Sequence, residues 1–509
     1  MLQQNRSAAY GIRLSSERHV ILLAAIAIYF IINFLVRMAL PVNLELDEAE
    51  QSYFSQWLMS GYGSQPPLYN WLQYATVQLF GLSLASLSAL KNLLLFSAYV
   101  FYFLAAREVI RDRQIAALAA LGLLTIPQVA FEAQRDLSHT VATIFTASLF
   151  LYAFLRTVRR PSISSFLLFG LATGLGVIAK YNFVLLPAAA FLAILSDARW
   201  RPRLFDWRLL LAGAIALTIV APHALWLLDH FGAASAHTMR KLTGSGSTPA
   251  VAMLSGLGSL TLASLGFGGL TIAVFSLAYR ERLPAIIRAR SDWTRLSGRI
   301  LIFALGLIVL MILFGGVEKV RDRWLTPILI LLPIYFALKI DAAATNLHPG
   351  MRRIWGVAFT LMALIPTLLL GRVATASLTG LYQYPNYPFI SMAEEVRPQV
   401  TSAPTLVITF DTHMAGNLRL HLQPVPVLAL STPAGLKPPP TPEHQRILFA
   451  WRSAADGTSA GLPQKFEQYL QERGITPDAS QIRAVTLPYT YGRAGDQYHF
   501  AYAVFDIGR

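Results

Sequence analysis

Eleven apolar runs punctuate the first 371 residues: 20–36, 84–104, 115–126, 138–155, 163–179, 182–195, 207–228, 251–279, 300–316, 325–338 and 354–371. About 20 mostly apolar residues cross a bilayer as a helix, which alone satisfies its own backbone hydrogen bonds within one segment there. The pattern predicts a polytopic α-helical membrane protein with about eleven spans, the shorter runs tilting or extending past these limits. Composition agrees: 55% of residues are hydrophobic, 14% are charged and the mean hydropathy is +0.49, whereas a soluble domain carries about 25% charged residues. The chain has no cysteine, which excludes a disulfide framework, CxxC redox chemistry and cysteine-based zinc sites. A net charge of +15 would suggest nucleic acid in a soluble protein, but here the basic residues lie between apolar runs, so no nucleic acid is expected as a partner.

The first run follows Arg18 and ends without a small-residue cleavage site, so it reads as a retained anchor. With the N-terminus inside, the inner connecting segments carry 22 Lys and Arg and the outer ones 7. That excess predicts a cytoplasmic N-terminus, and eleven spans then place everything after about residue 371 outside. Residues 372–509 are Pro-rich and more polar, with β-like runs at 404–410, 446–451 and 498–506, an amphipathic helix at 463–473 and a loop at 432–442. The expected organisation is a transmembrane domain, 1–371, and a small mixed α/β domain, 372–509, on the outer face.

The first outer loop, 38–83, holds Glu45, Asp47, Glu48 and Glu50 and neither Lys nor Arg. Asp47 and Glu48 come soon after a span, where an outer cavity would open. The aromatic segment after them (Tyr53, Phe54, Trp57) is expected to lie in the membrane interface plane. Gly61 to Leu68 (GYGSQPPL) reads as a turn followed by a helix start, because proline suits the first helical position. The second outer loop adds Glu132, Arg135, Asp136 and His139; Asp136 could equally serve as a helix cap. Basic groups on the same side are Lys180, Arg240, Lys241, Lys319, Arg321 and Arg323. Ionisable groups at membrane depth are costly and mark function by default, although acids also form solvated faces and cations also snorkel to lipid phosphates. Together they suit one reaction: a carboxylate takes the proton of an acceptor hydroxyl while Arg and Lys neutralise charge on a departing phosphate. His223, His230 and His237 recur every seven residues, which fits no short-spaced zinc pattern; no metal ligand set is assigned, and a divalent metal stays an open alternative.

Leu46-Asp47-Glu48-Ala49-Glu50, Gly61-Tyr62 and Pro66-Pro67-Leu68 with Trp71 resemble the integral-membrane GT-C glycosyltransferases, in the ArnT-like and protein-mannosyltransferase-like branch. Asp136, Ala179-Lys180-Tyr181 and Arg323-Trp324 with Pro327 match further marks of that branch, and the resemblance covers about 1–371. It implies a GT-C fold and an inverting transferase of the bacterial inner membrane that takes sugar from a polyprenyl phosphate on the periplasmic face. By that resemblance Asp47 is the base or acceptor-orienting group, with Glu48 beside it and Asp136 as the second acid. Tyr62, Gln65, Arg135, Lys180, Arg240, Lys319, Arg321 and Arg323 would hold the donor's phosphate and sugar. Many relatives carry an acid and a lysine before Pro-Pro; here the pair is Ser64-Gln65, which shifts phosphate binding toward Lys180, Arg321 or Arg323 and weakens a carried-over metal site. The GYGSQPPLY version looks similar to rhizobial-type transferases that add galacturonic acid to lipopolysaccharide core or lipid A. The rival readings are a polyprenyl-linked sugar flippase, a protein O-glycosyltransferase and a non-catalytic scaffold.

Overall fold

The computed structural model describes the backbone of residues 2–242, 248–343, 348–432, 443–453, 461–476 and 479–507, and the side chains among them except 2–19, 233, 235–242, 348 and 479. Every one of the eleven apolar runs coincides with helix, but they are not eleven equal spans. Among the described residues seven helices are long and apolar enough to cross a membrane: Val20–Ala39, Leu84–Val109, Ser138–Arg159, Arg208–Gly232, Pro249–Ala278, Asp292–Gly315 and Pro349–Ala374. Two further spans are bent pairs, Arg113–Thr125 with Gln128–Arg135 at 75° and Asp322–Leu329 with Leu332–Ala343 at 41°. Pro127 and Pro333 sit at these breaks, each lacking the N–H that a continuous helix needs. Two shorter apolar helices, Ile163–Val177 and Tyr181–Leu195, are separated at Lys180.

The helix Ser138–Arg159 is the bundle's centre, with 83% of its apolar window buried, against 11% for Arg208–Gly232. Leu210, Leu217, Leu225 and Leu228 of the latter are exposed; in lipid such a face meets a solvent of its own polarity. Small residues let helices touch: a Cβ on Gly170 would stand 2.3 Å from the carbonyl oxygen of Ala212, so the helix Ile163–Val177 packs backbone to backbone on its neighbour.

The first outer loop contains two helices, α2 (Leu46–Phe54) and α3 (Leu68–Phe80), between α1 (Leu2–Ala39) and α4 (Leu84–Val109). Beyond the last membrane-length helix lies a five-stranded sheet: β1 (Thr405–Thr409), β2 (Val427–Ala429), β3 (Arg446–Arg452), β4 (Ile482–Pro488) and β5 (Gln497–Asp506), in the order β2-β1-β3-β5-β4. β1 runs parallel to β2 and β3, and β5 antiparallel to β3 and β4. Helices Phe389–Thr401 and Thr412–His421 cover one face; Phe466 and Leu470 of Gln464–Gln471 pack on the other against Phe449 and Phe505. The three β-like runs and the amphipathic helix of the sequence are all present, while the short β2 and the largely exposed β4 were not read as strands. Residues 433–442 of the expected loop lie outside the described residues.

The sheet domain grips α2. The side chain of Asn417 accepts from the Leu44 N–H at 2.8 Å, Ser52 donates to the Gly416 carbonyl at 2.8 Å, and Gln56 exchanges hydrogen bonds with the Val427 backbone at 3.0 and 3.2 Å. A Cβ on Gly416 would sit 1.9 Å from the Ala49 carbonyl oxygen, so only glycine permits this approach. The expectation that Tyr53 and Phe54 lie in the membrane interface is overturned. Both are buried with Tyr62, Phe389, Met414 and Leu418; the apolar face seen in the sequence is spent on the outer domain.

Candidate active site

Two acids from different loops meet at the end of the bundle that faces the sheet domain. Asp47 stands in the first turn of α2, and its Oδ2 accepts from the Ser138 N–H at 2.9 Å, at the N-terminus of the central helix Ser138–Arg159. In return Asp136 Oδ1 accepts from the Asp47 N–H at 3.0 Å, at the N-terminus of α2. Each carboxylate satisfies an orphan donor of the other's helix and meets the positive end of its dipole. The turn that allows this passes through Leu137 at φ 69°, a left-handed conformation that costs a branched residue of order 1–3 kcal/mol. Asp136 thus caps a helix, as the sequence allowed, but not its own.

Exposure separates the three acids. Asp47 is half-buried, while Glu48 is 5% and Asp136 6% exposed. Glu48 is held by Arg37 at 2.8 Å and Lys91 at 3.0 Å and accepts from the Glu45 N–H at 3.2 Å. Burial alone would raise its pKa, but Arg37 first and then Lys91 hold its carboxyl below the ordinary carboxylate range. Glu48 is therefore an ion-paired strut. The Asp47 carboxyl is raised by burial, opposed by Arg323, the Ser138 N–H, Lys180 and Lys91. Asp136 is pushed well above the usual range by burial and then by the charge of Asp47.

Lys180 occupies the break between Ile163–Val177 and Tyr181–Leu195 and donates to Thr140 Oγ1 at 3.0 Å. That bond brings its ammonium to the first turn of the central helix, beside Asp47. The same break receives the Pro-Pro turn, for the Leu68 N–H donates to the Ile178 carbonyl at 2.9 Å. Arg323 arrives on the last outer loop, which is tied down where Asp322 accepts from the Gln128 side chain at 2.6 Å and the Val320 N–H donates to Ser259 Oγ at 2.9 Å. The charges of Lys180 and Arg323 act on Asp47, so four loops bring Asp47, Asp136, Lys180 and Arg323 to one region.

The remaining sequence candidates fall elsewhere. The Tyr62 hydroxyl accepts from the Met59 N–H at 2.9 Å and donates to the Trp57 carbonyl at 2.8 Å, while its ring packs on Phe54; it staples its own loop. Gln65 lies partly exposed on the turn, Arg321 is half-buried and Lys319 is exposed on the outer rim. Arg135 is 30% exposed and pairs with Glu132 at 2.6 Å. Arg240, Lys241 and His237 fall outside the described side chains. Both ring nitrogens of His223 are engaged, with Tyr181 at 3.0 Å and the Ser60 carbonyl at 2.8 Å, and His230 bonds the Trp226 carbonyl at 2.9 Å. Among the described residues no three His, Asp or Glu side chains converge as metal ligands.

The sequence reading passed over Arg37 and Lys91, the partners of Glu48, and Arg372, which pairs with the buried Glu45. Lys91 lies inside an apolar run, and that alone could have flagged it.

Comparison with known proteins places this arrangement. Residues 64–226 match the family described as dolichyl-phosphate-mannose-protein mannosyltransferase. The chain is 45% identical over 481 residues to the lipopolysaccharide core galacturonosyltransferase RgtB of Rhizobium johnstonii, covering 94% of this chain and 96% of that protein. It is 44% identical over 482 residues to RgtA of the same organism, with the same coverage. Lipid A galacturonosyltransferase RgtD of that organism is 26% identical over 193 residues, 38% of this chain and 40% of that protein. The fold matches the crystal structure of ArnT from Cupriavidus metallidurans bound to undecaprenyl phosphate, with a TM-score of 0.62, 14% identity and coverage of 95% of this chain and 97% of that one. The chain therefore belongs to the family of the lipopolysaccharide core galacturonosyltransferases, membrane glycosyltransferases with the ArnT-like GT-C fold.

Proposed function

We propose that this chain transfers a galacturonosyl group from a polyprenyl phosphate to a hydroxyl of lipopolysaccharide core or lipid A, with inversion at the anomeric carbon. The supporting observation is that Asp47, partly exposed where Glu48 and Asp136 are buried, is anchored by the Ser138 N–H and feels the charges of Arg323 and Lys180. In this reading Asp47 takes the proton from the acceptor hydroxyl, whose oxygen bonds to the anomeric carbon as the bond to the phosphate oxygen breaks. The proton stays on Asp47, and the electron pair leaves on the polyprenyl phosphate, where Arg323 and Lys180 neutralise the growing charge. Arg321 and Lys319, on the same loop, draw the anionic headgroup inward.

Asp136 positions Asp47 through the hydrogen bond that its Oδ1 accepts from the Asp47 N–H. Glu48 holds Arg37 and Lys91 in place and takes no part in proton transfer. The names of the relatives support the sugar and acceptor classes, and the undecaprenyl phosphate in the ArnT structure supports the donor class. The Lys and Arg excess of the inner loops supports a bacterial inner-membrane location with a cytoplasmic N-terminus, a membrane-embedded catalytic domain over 1–371 and a periplasmic domain over 372–509.

The experiment is mass spectrometry of lipopolysaccharide and lipid A from cells with and without the gene. Loss of one hexuronic acid, restored by wild type and not by Asp47→Asn, is the expected result. An unchanged glycan with lipid-linked sugar accumulating on one leaflet would replace this reading with that of a flippase.

A further inference from the structure

Lys91 separates two polar spaces. On one side lie Glu48, Tyr69, Asp136 and Ser138, the back of the acid pair. On the other is a cleft bounded by α1, α4, Gln134–Arg135 and the outer end of the helix His348–Ala374. Four cations line this cleft, Arg37, Lys91, Arg135 and Arg372, and no carboxylate is among its lining residues. Their acidic partners Glu48, Glu132 and Glu45 approach from outside it.

The polar groups facing the cleft are left over. Gln134, 6% exposed, has an Nε2 donor without a partner, and so has the buried Nε of Arg372. The Oδ1 atoms of Asn33 and Asn92 are unpartnered acceptors, because each amide donates its nitrogen to its own helix, to Tyr29 and Ser88. Buried polar atoms are normally satisfied, and a cluster that is not implies a missing ligand or water. Its chemistry here is that of an anion beside a hydroxyl: two free donors among four cations, with two acceptors next to them. The space is about 20 Å³, water-scale, so it takes a group of a few atoms and not a sugar ring.

Resting on the donor reading above, we propose that this cleft seats the carboxylate of the transferred uronic acid, so that the free donors of Gln134 and Arg372 select a uronosyl over a neutral hexosyl donor. The donor is favoured over the acceptor because the acceptors named for the relatives differ, core and lipid A, whereas the sugar named for all three carries a carboxylate. Gln134 precedes Asp136 by two residues in sequence, and Lys91 lines the cleft as well as the space behind the acid pair.

The test uses the full chain in nanodiscs and three short-chain probes: prenyl-phosphate galacturonate, prenyl-phosphate galactose and prenyl phosphate. The variants are Gln134→Glu and Asn92→Asp, which keep shape and bring a negative charge against the carboxylate. Wild type is expected to bind the galacturonosyl probe about tenfold tighter than the galactosyl one. Each variant should erase that difference while binding the other two probes as wild type does. Equal weakening of all three probes would mean a structural role, and persistent discrimination in both variants would remove the seat; either overturns the proposal. A rise confined to the acceptor's KM would move the seat to an acceptor anion and also overturn it. Failure of wild type to transfer galacturonate at all would instead strike the function proposed above, and this inference with it.

Discussion

Asp47 and Asp136, 89 residues apart, each accept a hydrogen bond at the start of the other's helix, at 2.9 Å through Ser138 and at 3.0 Å through the Asp47 N–H. Neither acid can be placed without the other, and this reciprocity makes a loop carboxylate a fixed one. It also divides their labour, because only Asp47 is open enough to meet a substrate.

Asp47→Asn keeps the acceptor oxygen for Ser138 and removes the base. Transfer in membrane vesicles should fall by about 10²–10⁴-fold, with expression and thermal stability close to wild type. Turnover within a few-fold of wild type would take Asp47 out of the proton transfer.

Glu48→Gln acts on the fold instead. It leaves Arg37 and Lys91 buried without their carboxylate, and breaking a buried ion pair from one side costs about 3–5 kcal/mol. The expected result is a marked fall in the melting temperature of the purified protein, preceding any loss of activity per folded molecule. A stable variant with selectively lost catalysis would return Glu48 to the chemistry.

The pH profile should report the raised Asp47 carboxyl. As pH falls through its folded-state pKa the base is protonated and transfer is lost, so the acid limb should lie above the ordinary carboxylate range. Burial and the charge of Asp47 hold Asp136 well above the usual range, so Asp136 carries the proton of the pair while Asp47 is ionised; Asp136→Asn keeps the oxygen that accepts from the Asp47 N–H, and the limb should stay where it is. Because Asp136 is raised in the fold, its ionised form opposes folding as pH rises through its pKa, and the Asn variant should be no less stable at neutral pH. An acid limb that moves to lower pH would show that Asp136 is ionised beside Asp47.

Arg323→Ala should raise the donor KM more than Arg321→Ala, since Arg323 is the largest attraction on Asp47. Equal effects, measured with a synthetic prenyl-phosphate sugar, would show the two to be a diffuse steering field.

Gly416→Val tests the grip of the outer domain on α2. A Cβ there would stand 1.9 Å from the Ala49 carbonyl oxygen, so the interface must open, displacing Asp47 and lowering activity, although residue 416 is remote from the acids in sequence. Wild-type activity in this variant would show that α2 is held from the membrane side alone.

What the sequence determined by itself follows from the solvent. Apolar runs must become helices in lipid, and the eleven runs are all helical; the charge asymmetry of the loops and the cluster Asp47, Glu48, Asp136, Lys180 and Arg323 were legible for the same reason, since charge beside a bilayer is too costly to be incidental. The sequence could not show which of those charges pair. Asp47 and Glu48 are adjacent, yet a helix points them about 100° apart, one toward Ser138 and one toward Arg37 and Lys91. Nor could it show that Tyr53, Phe54 and Tyr62 pack on a domain more than 300 residues later, because an apolar face reads the same whether lipid or protein covers it. Those decisions belong to tertiary structure, where long-range contacts choose among partners that local pattern leaves equivalent.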